Sequence, residues 1–199
     1  MDPTKEHALV TQIAAGVSYS RRTVYISGEV DDQLSHKIII ALEALDAEDA
    51  PIRIVLNSPG GDEQSGYAIY DAITMCKNIV SIEAYGDVCS IAAAIFQAGD
   101  IRLMSPHTAF MIHNGTAPTE EGMKQNLVMD LGDQLRKDNQ KYYNILAGAS
   151  GQSQETIETW CHDEKYFTAK EAVDAGFADE VLKPLKKKNA PPKKKRKKT

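Results

Sequence analysis

An α/β fold built from parallel β-α-β units is what this sequence predicts. Three observations lead there. The β-prone runs Thr23–Ser27, Ile52–Leu56 and Ile79–Tyr85 are each followed by a stretch of helical spacing. Each run closes on a turn signal: Gly28, Asn57-Ser58-Pro59-Gly60-Gly61 and Gly86. Strand and helix therefore alternate three times, the pattern of parallel strands joined by right-handed crossovers.

The elements follow in chain order. Leu9, Val10 and Ile13 make one face of a short helix, and 16–20 reads as loop. After the first strand, Asp31 or Asp32 caps a helix to about Leu45, with Leu34, Ile38, Ile39, Leu42 and Leu45 at helical spacing. After the second strand, 62–77 is helical, with Tyr67, Ile69, Tyr70, Ile73 and Met75 as its apolar positions. The third strand stops at Gly86, and a helix of small residues runs from Ile91 to Ala98. Residues 101–104 and 108–112 are two further strand-like runs, the second ending at His113. A long helix spans about 119–147, and short helices cover 156–160 and 169–175. Residues 179–182 form a last short strand.

Composition bounds the function. The 199 residues suffice for one domain with a core, and an apolar fraction of 42% is ordinary for a globular chain. No apolar run reaches bilayer length and the start does not resemble a secretory signal, so no membrane association is expected. Cys76, Cys89 and Cys161 are too few and too scattered for a disulfide framework or a zinc site, which points to a reducing, cytoplasmic setting. No metal or cofactor is expected. The net charge of −5 conceals an asymmetry: ten of the 23 basic residues lie in 183–199, where there is no acid. That stretch reads as a disordered basic tail able to contact nucleic acid weakly, behind an acidic body. The expected organisation is an N-terminal segment, 1–22, one domain, 23–182, and the tail, 183–199.

Sites in parallel α/β proteins collect at the carboxyl ends of strands. Three such ends deliver reactive-looking groups: Gly60-Gly61, Ser90 and His113. Ser90 stands where strand turns into helix. The bland reading of that position is an N-cap. The functional one is a nucleophile on a sharp turn with helix N–H groups behind it. Histidine is the usual base for a serine, and a carboxylate usually holds the other ring nitrogen. His113 can equally be a structural histidine at a strand end. His7, His36, His107 and His162 occupy less telling positions. Gly61 lets backbone approach closely, and the N–H of Ile91 follows the serine, so these two are the candidate oxyanion donors. Cys89 is a neighbouring thiol whose smaller role is core packing.

Asn57-Ser58-Pro59-Gly60-Gly61, Ala68-Ile69-Tyr70-Asp71, Gly86-x-x-x-Ser90, Met111-Ile112-His113 and Tyr166-Phe167-Thr168-Ala169 resemble, in order and spacing, the proteolytic subunit of the Clp protease, the ClpP family of serine peptidases. The likeness covers about 23–182 and is nearest to the Clp-like peptidases of phages and prophages. It implies a ClpP/crotonase-like spiral of β-α-β units with a long-helix handle. It also implies peptide-bond hydrolysis by Ser90 and His113, with oxyanion donors Gly61 and Ile91. The family's acid aligns with Glu164, and Asp163 is adjacent. Polypeptide substrates, a homo-oligomer of stacked rings and an AAA+ unfoldase partner are implied as well. The N-terminal segment carries no recognisable axial-loop residues of that family, and Ile91-Ala92-Ala93 departs from its usual sequence after the serine. A signal-peptide-peptidase-like Ser/Lys enzyme, a crotonase-fold acyl-CoA enzyme and an inactive assembly protein are the alternatives.

Overall fold

The structure, a computed structural model, describes residues 16–116 and 123–184. The expected N-terminal helix, the start of the long helix and most of the basic tail lie outside the described residues.

The chain opens on β1 (Val17–Ser18) and a 3₁₀ turn (Tyr19–Arg21), where loop is expected, and β1 pairs antiparallel with β2 (Thr23–Ser27). Three strand-helix units follow. They are β2 with α1 (Asp32–Asp46), β3 (Ile52–Ser58) with α2 (Glu63–Thr74), and β4 (Val80–Cys89) with α3 (Ile91–Gln97). Asp31 caps α1 by accepting from the Leu34 N–H, and Asp62 caps α2 by accepting from the Ser65 N–H. β2, β3 and β4 run parallel in register, Thr23 beside Arg53 and Ile52 beside Val80. Val24, Ile26, Ile54, Leu56, Ile82 and Ala84 face the core with no exposed surface. Their alternate residues Tyr25, Arg53, Val55, Ser81 and Glu83 are half-buried, so one face of these strands lies in the core and the other is partly covered.

The expected end of the third strand is corrected. β4 does not stop at Gly86 but passes through it to Cys89. Gly86 adopts φ 64°, and a Cβ there would meet the Asn57 Oδ1 at 2.6 Å. Asn57 Oδ1 instead accepts from the Asp87 N–H at 3.0 Å. The strand thus kinks at a glycine, shifts register against β3 and changes partners. Its first half pairs with β5 (Ile101–Met104) and its second half with β6 (Ala109–Ile112). A glycine that reads as a stop is here a bend within one strand, and the bend carries Ser90 out to the edge of the second neighbour.

The remaining elements are α4 (Gln125–Ser150), α5 (Gln154–His162), β7 (Lys165–Thr168), α6 (Ala169–Asp174) and β8 (Glu180–Val181). β7, not anticipated from its four-residue pattern, pairs antiparallel with β6, Ile112 opposite Lys165. Phe96, Phe110, Phe167, Phe177 and Trp160 pack behind it, Phe110 stacked on Phe177 at 4.9 Å between ring centres. That aromatic cluster fixes β6, and so His113, in depth. α4 buries Tyr142, Tyr143 and Leu146 in its C-terminal half and leaves Leu127, Val128 and Met129 exposed in its N-terminal half. It is the expected handle. Among the described residues no helix is long and apolar enough to cross a membrane, and no group of His, Cys, Asp and Glu side chains could hold a metal ion.

Candidate active site

Ser90 is the hinge between β4 and α3. Its backbone stands at φ 58° and ψ −131°, a region that L-residues rarely occupy and that costs about 1–3 kcal/mol. The Ser90 N–H donates to the Met111 carbonyl at 2.9 Å, so β6 holds one side of the turn. The buried Tyr142 hydroxyl donates to the Ser90 carbonyl at 2.8 Å, so the handle helix holds the other. Burial pushes the Tyr142 phenol well above its ordinary range, which keeps it a donor.

The N-cap reading of Ser90 fails, because its side chain makes no cap hydrogen bond. Ser90 Oγ lies 2.8 Å from His113 Nε2 instead. His113 is the residue after β6, so the pair is made by two adjacent strand ends. Both side chains are half-buried, open to a reactant and shielded from bulk water.

Glycines bring the opposite wall close. Gly60 has φ 99°, and a Cβ there would lie 2.6 Å from the Ser90 Cβ and 2.8 Å from the Cys89 carbonyl. Only a residue without a side chain lets the turn after β3 pass the serine. Gly61 has φ 147° and bridges Val30. The Val30 N–H donates to the Gly60 carbonyl at 2.8 Å, and the Asp62 N–H donates to the Val30 carbonyl at 2.7 Å. Those bonds orient the Gly61 peptide, whose own N–H has no acceptor among the described residues. Ile91 is the first residue of α3, where a helix leaves its N–H groups unsatisfied. Gly66 on α2 lets Ile91 seat there, since a Cβ at Gly66 would overlap the Ile91 side chain.

Cys89 is buried, and burial, with the Asp87 charge behind it, raises its thiol pKa. Its burial beside Met111 of β6 keeps it a neutral thiol.

The acid that the resemblance implies is not brought into contact with His113. Glu164 is exposed, adopts φ 53° in the turn between α5 and β7, and makes no hydrogen bond to His113. Asp163 accepts from or shares a proton with the exposed His162 at 3.1 Å. Both stand next to the site, because the Asn114 N–H donates to the Cys161 carbonyl at 3.1 Å.

Two further residues that sequence reasoning missed belong here. A hollow beside the serine is lined by Glu63, Ser90, Ile91, His113, Gly115, Asn139 and Tyr142. Glu63 is half-buried in it, and burial first, then the charge of Asp138, raise its carboxyl pKa. No local signal marks Glu63 as more than an acid in the first turn of a helix. Tyr142 reads in the sequence only as an apolar position.

The family described as Clp protease matches residues 6–184. The ATP-dependent Clp protease proteolytic subunit of Streptococcus agalactiae serotype V is 31% identical over 172 residues, 82% of this chain and 88% of that one. The protein of the same description from Lactococcus lactis is 31% identical, over 82% and 86% of the two chains. A solved mutant of ClpP1 from Listeria monocytogenes superposes with a TM-score of 0.78 at 26% identity, covering 88% of this chain and 96% of that one. On the match of family, relatives and fold, the chain belongs to the Clp protease family of serine peptidases.

Proposed function

We propose that the protein is an endopeptidase that cleaves polypeptides through an acyl-enzyme on Ser90. The 2.8 Å contact between Ser90 Oγ and His113 Nε2, on a strained turn where the serine side chain makes no cap hydrogen bond, carries this reading. Ser90 Oγ attacks the scissile carbonyl carbon as His113 Nε2 takes its proton. The carbonyl oxygen becomes an oxyanion held by the N–H groups of Gly61 and Ile91, both pointed by the backbone and free to donate. His113 returns the proton to the leaving amine and the acyl-enzyme remains. Water then enters, loses a proton to His113, and releases the new carboxyl group and the serine.

Glu164 is the acid of this triad. The β6–β7 ladder ends on the pair of Ile112 with Lys165, and His113 and Glu164 are the residues next to that end on the two chains.

The protein assembles as rings that stack through the handle. Leu127, Val128 and Met129 on α4 are 47%, 45% and 63% exposed, a cost that a partner's surface removes. An AAA+ unfoldase would then feed the chamber, as the ATP-dependent relatives' name suggests for them.

The test is hydrolysis of an unfolded polypeptide by the purified protein, followed with its native mass by light scattering. Wild type should cleave as an oligomer, and Ser90→Ala should keep the oligomer and lose cleavage. A monomer at micromolar concentration would contradict the assembly. Cleavage that persists in Ser90→Ala would contradict the chemistry.

A further inference from the structure

His113 stands just outside the sheet. β6 ends at Ile112, and its ladder with β7 ends on the pair of Ile112 with Lys165. Beyond that point the imidazole is oriented by whatever holds the chain after it. Three hydrogen bonds do so. The Asn114 N–H donates to the Cys161 carbonyl at 3.1 Å. The Tyr143 hydroxyl donates to Asn114 Oδ1 at 2.5 Å, and the Gly115 N–H donates to Asn139 Oδ1 at 2.8 Å. Two of these three partners, Tyr143 and Asn139, belong to α4.

The same helix reaches the serine, through the Tyr142 hydroxyl on the Ser90 carbonyl. Asn139, Tyr142 and Tyr143 are spaced i, i+3 and i+4, so they share one face of α4. That face therefore touches both halves of the Ser90–His113 pair, on segments 23 residues apart in the chain. It is itself held in place, since the Tyr67 hydroxyl of α2 donates to the Asp138 carbonyl at 3.3 Å.

Packing alone does not call for these hydroxyls. Tyr142 and Tyr143 are both buried, where phenylalanine would fill the same space. A buried phenol oxygen is costly unless it is bonded, and each of these two is bonded to a turn that carries a reacting side chain. Ser90 needs such a hold because its backbone, at φ 58°, is strained and kept there by its surroundings.

We propose that Tyr143 is a positioning residue for the base, acting on His113 through Asn114, and that together with Tyr142 on the serine side it sets the Oγ–Nε2 distance from one face of α4. This rests on the assignment of Ser90 as nucleophile. Both tyrosines act through neighbours of the reacting atoms, so their hydroxyls govern turnover and not substrate binding.

The experiment compares the full chain with Tyr143→Phe, Asn114→Ala, the two combined, and Tyr142→Phe, all well below their melting temperatures. Tyr143→Phe keeps the ring and removes the hydroxyl. It should lower kcat for a fluorogenic peptide by roughly ten- to a hundredfold at unchanged KM, the scale of a small misplacement of a reacting group. The rate of fluorophosphonate labelling should fall by the same factor. Asn114→Ala should lose as much, and the combined variant no more, because both remove one contact. Tyr142→Phe should lower kcat and labelling from the serine side. A Tyr143→Phe with wild-type kcat and a lower melting temperature overturns the proposal, since the hydroxyl then serves stability alone. Losses that multiply in the combined variant, or a loss carried by KM, overturn it too. Should Tyr143→Phe not fold, Asn114→Ala, at a half-buried position, decides by the same readings. If wild type labels on Ser90 and the variants label at its rate, the positioning assignment alone falls. If wild type does not label on Ser90, the nucleophile assignment falls and takes this one with it.

Discussion

Exchanging His113 for alanine should lower the turnover of a peptide substrate by a factor on the order of 10⁶, the loss seen when the base of a serine triad is removed. The geometry demands it. Ser90 Oγ has one side-chain partner, the His113 Nε2 at 2.8 Å, and a serine hydroxyl without a base keeps its proton near neutral pH. The fold should survive, because His113 is half-buried and follows β6 rather than lying within it. Circular dichroism and native mass should match the wild type, with kcat as the quantity that collapses and KM little changed. A variant retaining a tenth of wild-type turnover would remove His113 from the chemistry.

Neutralising Glu164 should cost about 10⁴ in kcat, since a glutamine in its place leaves the geometry but holds the imidazole in the wrong tautomer. Asp163→Asn serves as the control. Asp163 already faces His162, and its loss should change turnover by less than about tenfold, as for an exposed pair of little energetic worth. The opposite result, an active Glu164→Gln beside a dead Asp163→Asn, would hand the role to the neighbour. Glu164 is exposed and unbonded to His113 in the single chain. Both variants should therefore be assayed at the protein concentration where the native assembly forms.

Much of this site was legible in the sequence because its parts sit at strand ends. The run Ile52–Leu56 announced a buried parallel strand, and the double glycine after it announced a close backbone approach. The structure shows what Gly60 approaches: the Cβ of Ser90. Ser90 and His113 were legible for the same reason, each at the carboxyl end of its run. The path between them was not. Gly86 reads locally as a terminator, whereas its left-handed backbone is a bend secured by Asn57, a residue 29 positions earlier. β7 was hidden because four residues, Lys165–Thr168, carry too little pattern, and its strand character comes from pairing with β6. Glu63 and Tyr142 were hidden for a deeper reason. Their positions look like an exposed first-turn acid and a core aromatic, and only the docking of α2 and α4 against the Ser90 turn gives them a place in the site. The Ser90–His113 bond also separates this protein from a crotonase-type enzyme, which has use for the oxyanion donors but none for that pair.

The central claim is that Ser90 is an activated nucleophile, and one measurement addresses it without substrate, partner or assay optimisation. The protein is incubated with a fluorophosphonate, digested, and the modified residue located by mass spectrometry. The label should lie on Ser90 alone and be absent from Ser90→Ala and much reduced in His113→Ala. A label on Cys89 or another serine, or labelling that persists unchanged in Ser90→Ala, would contradict the account.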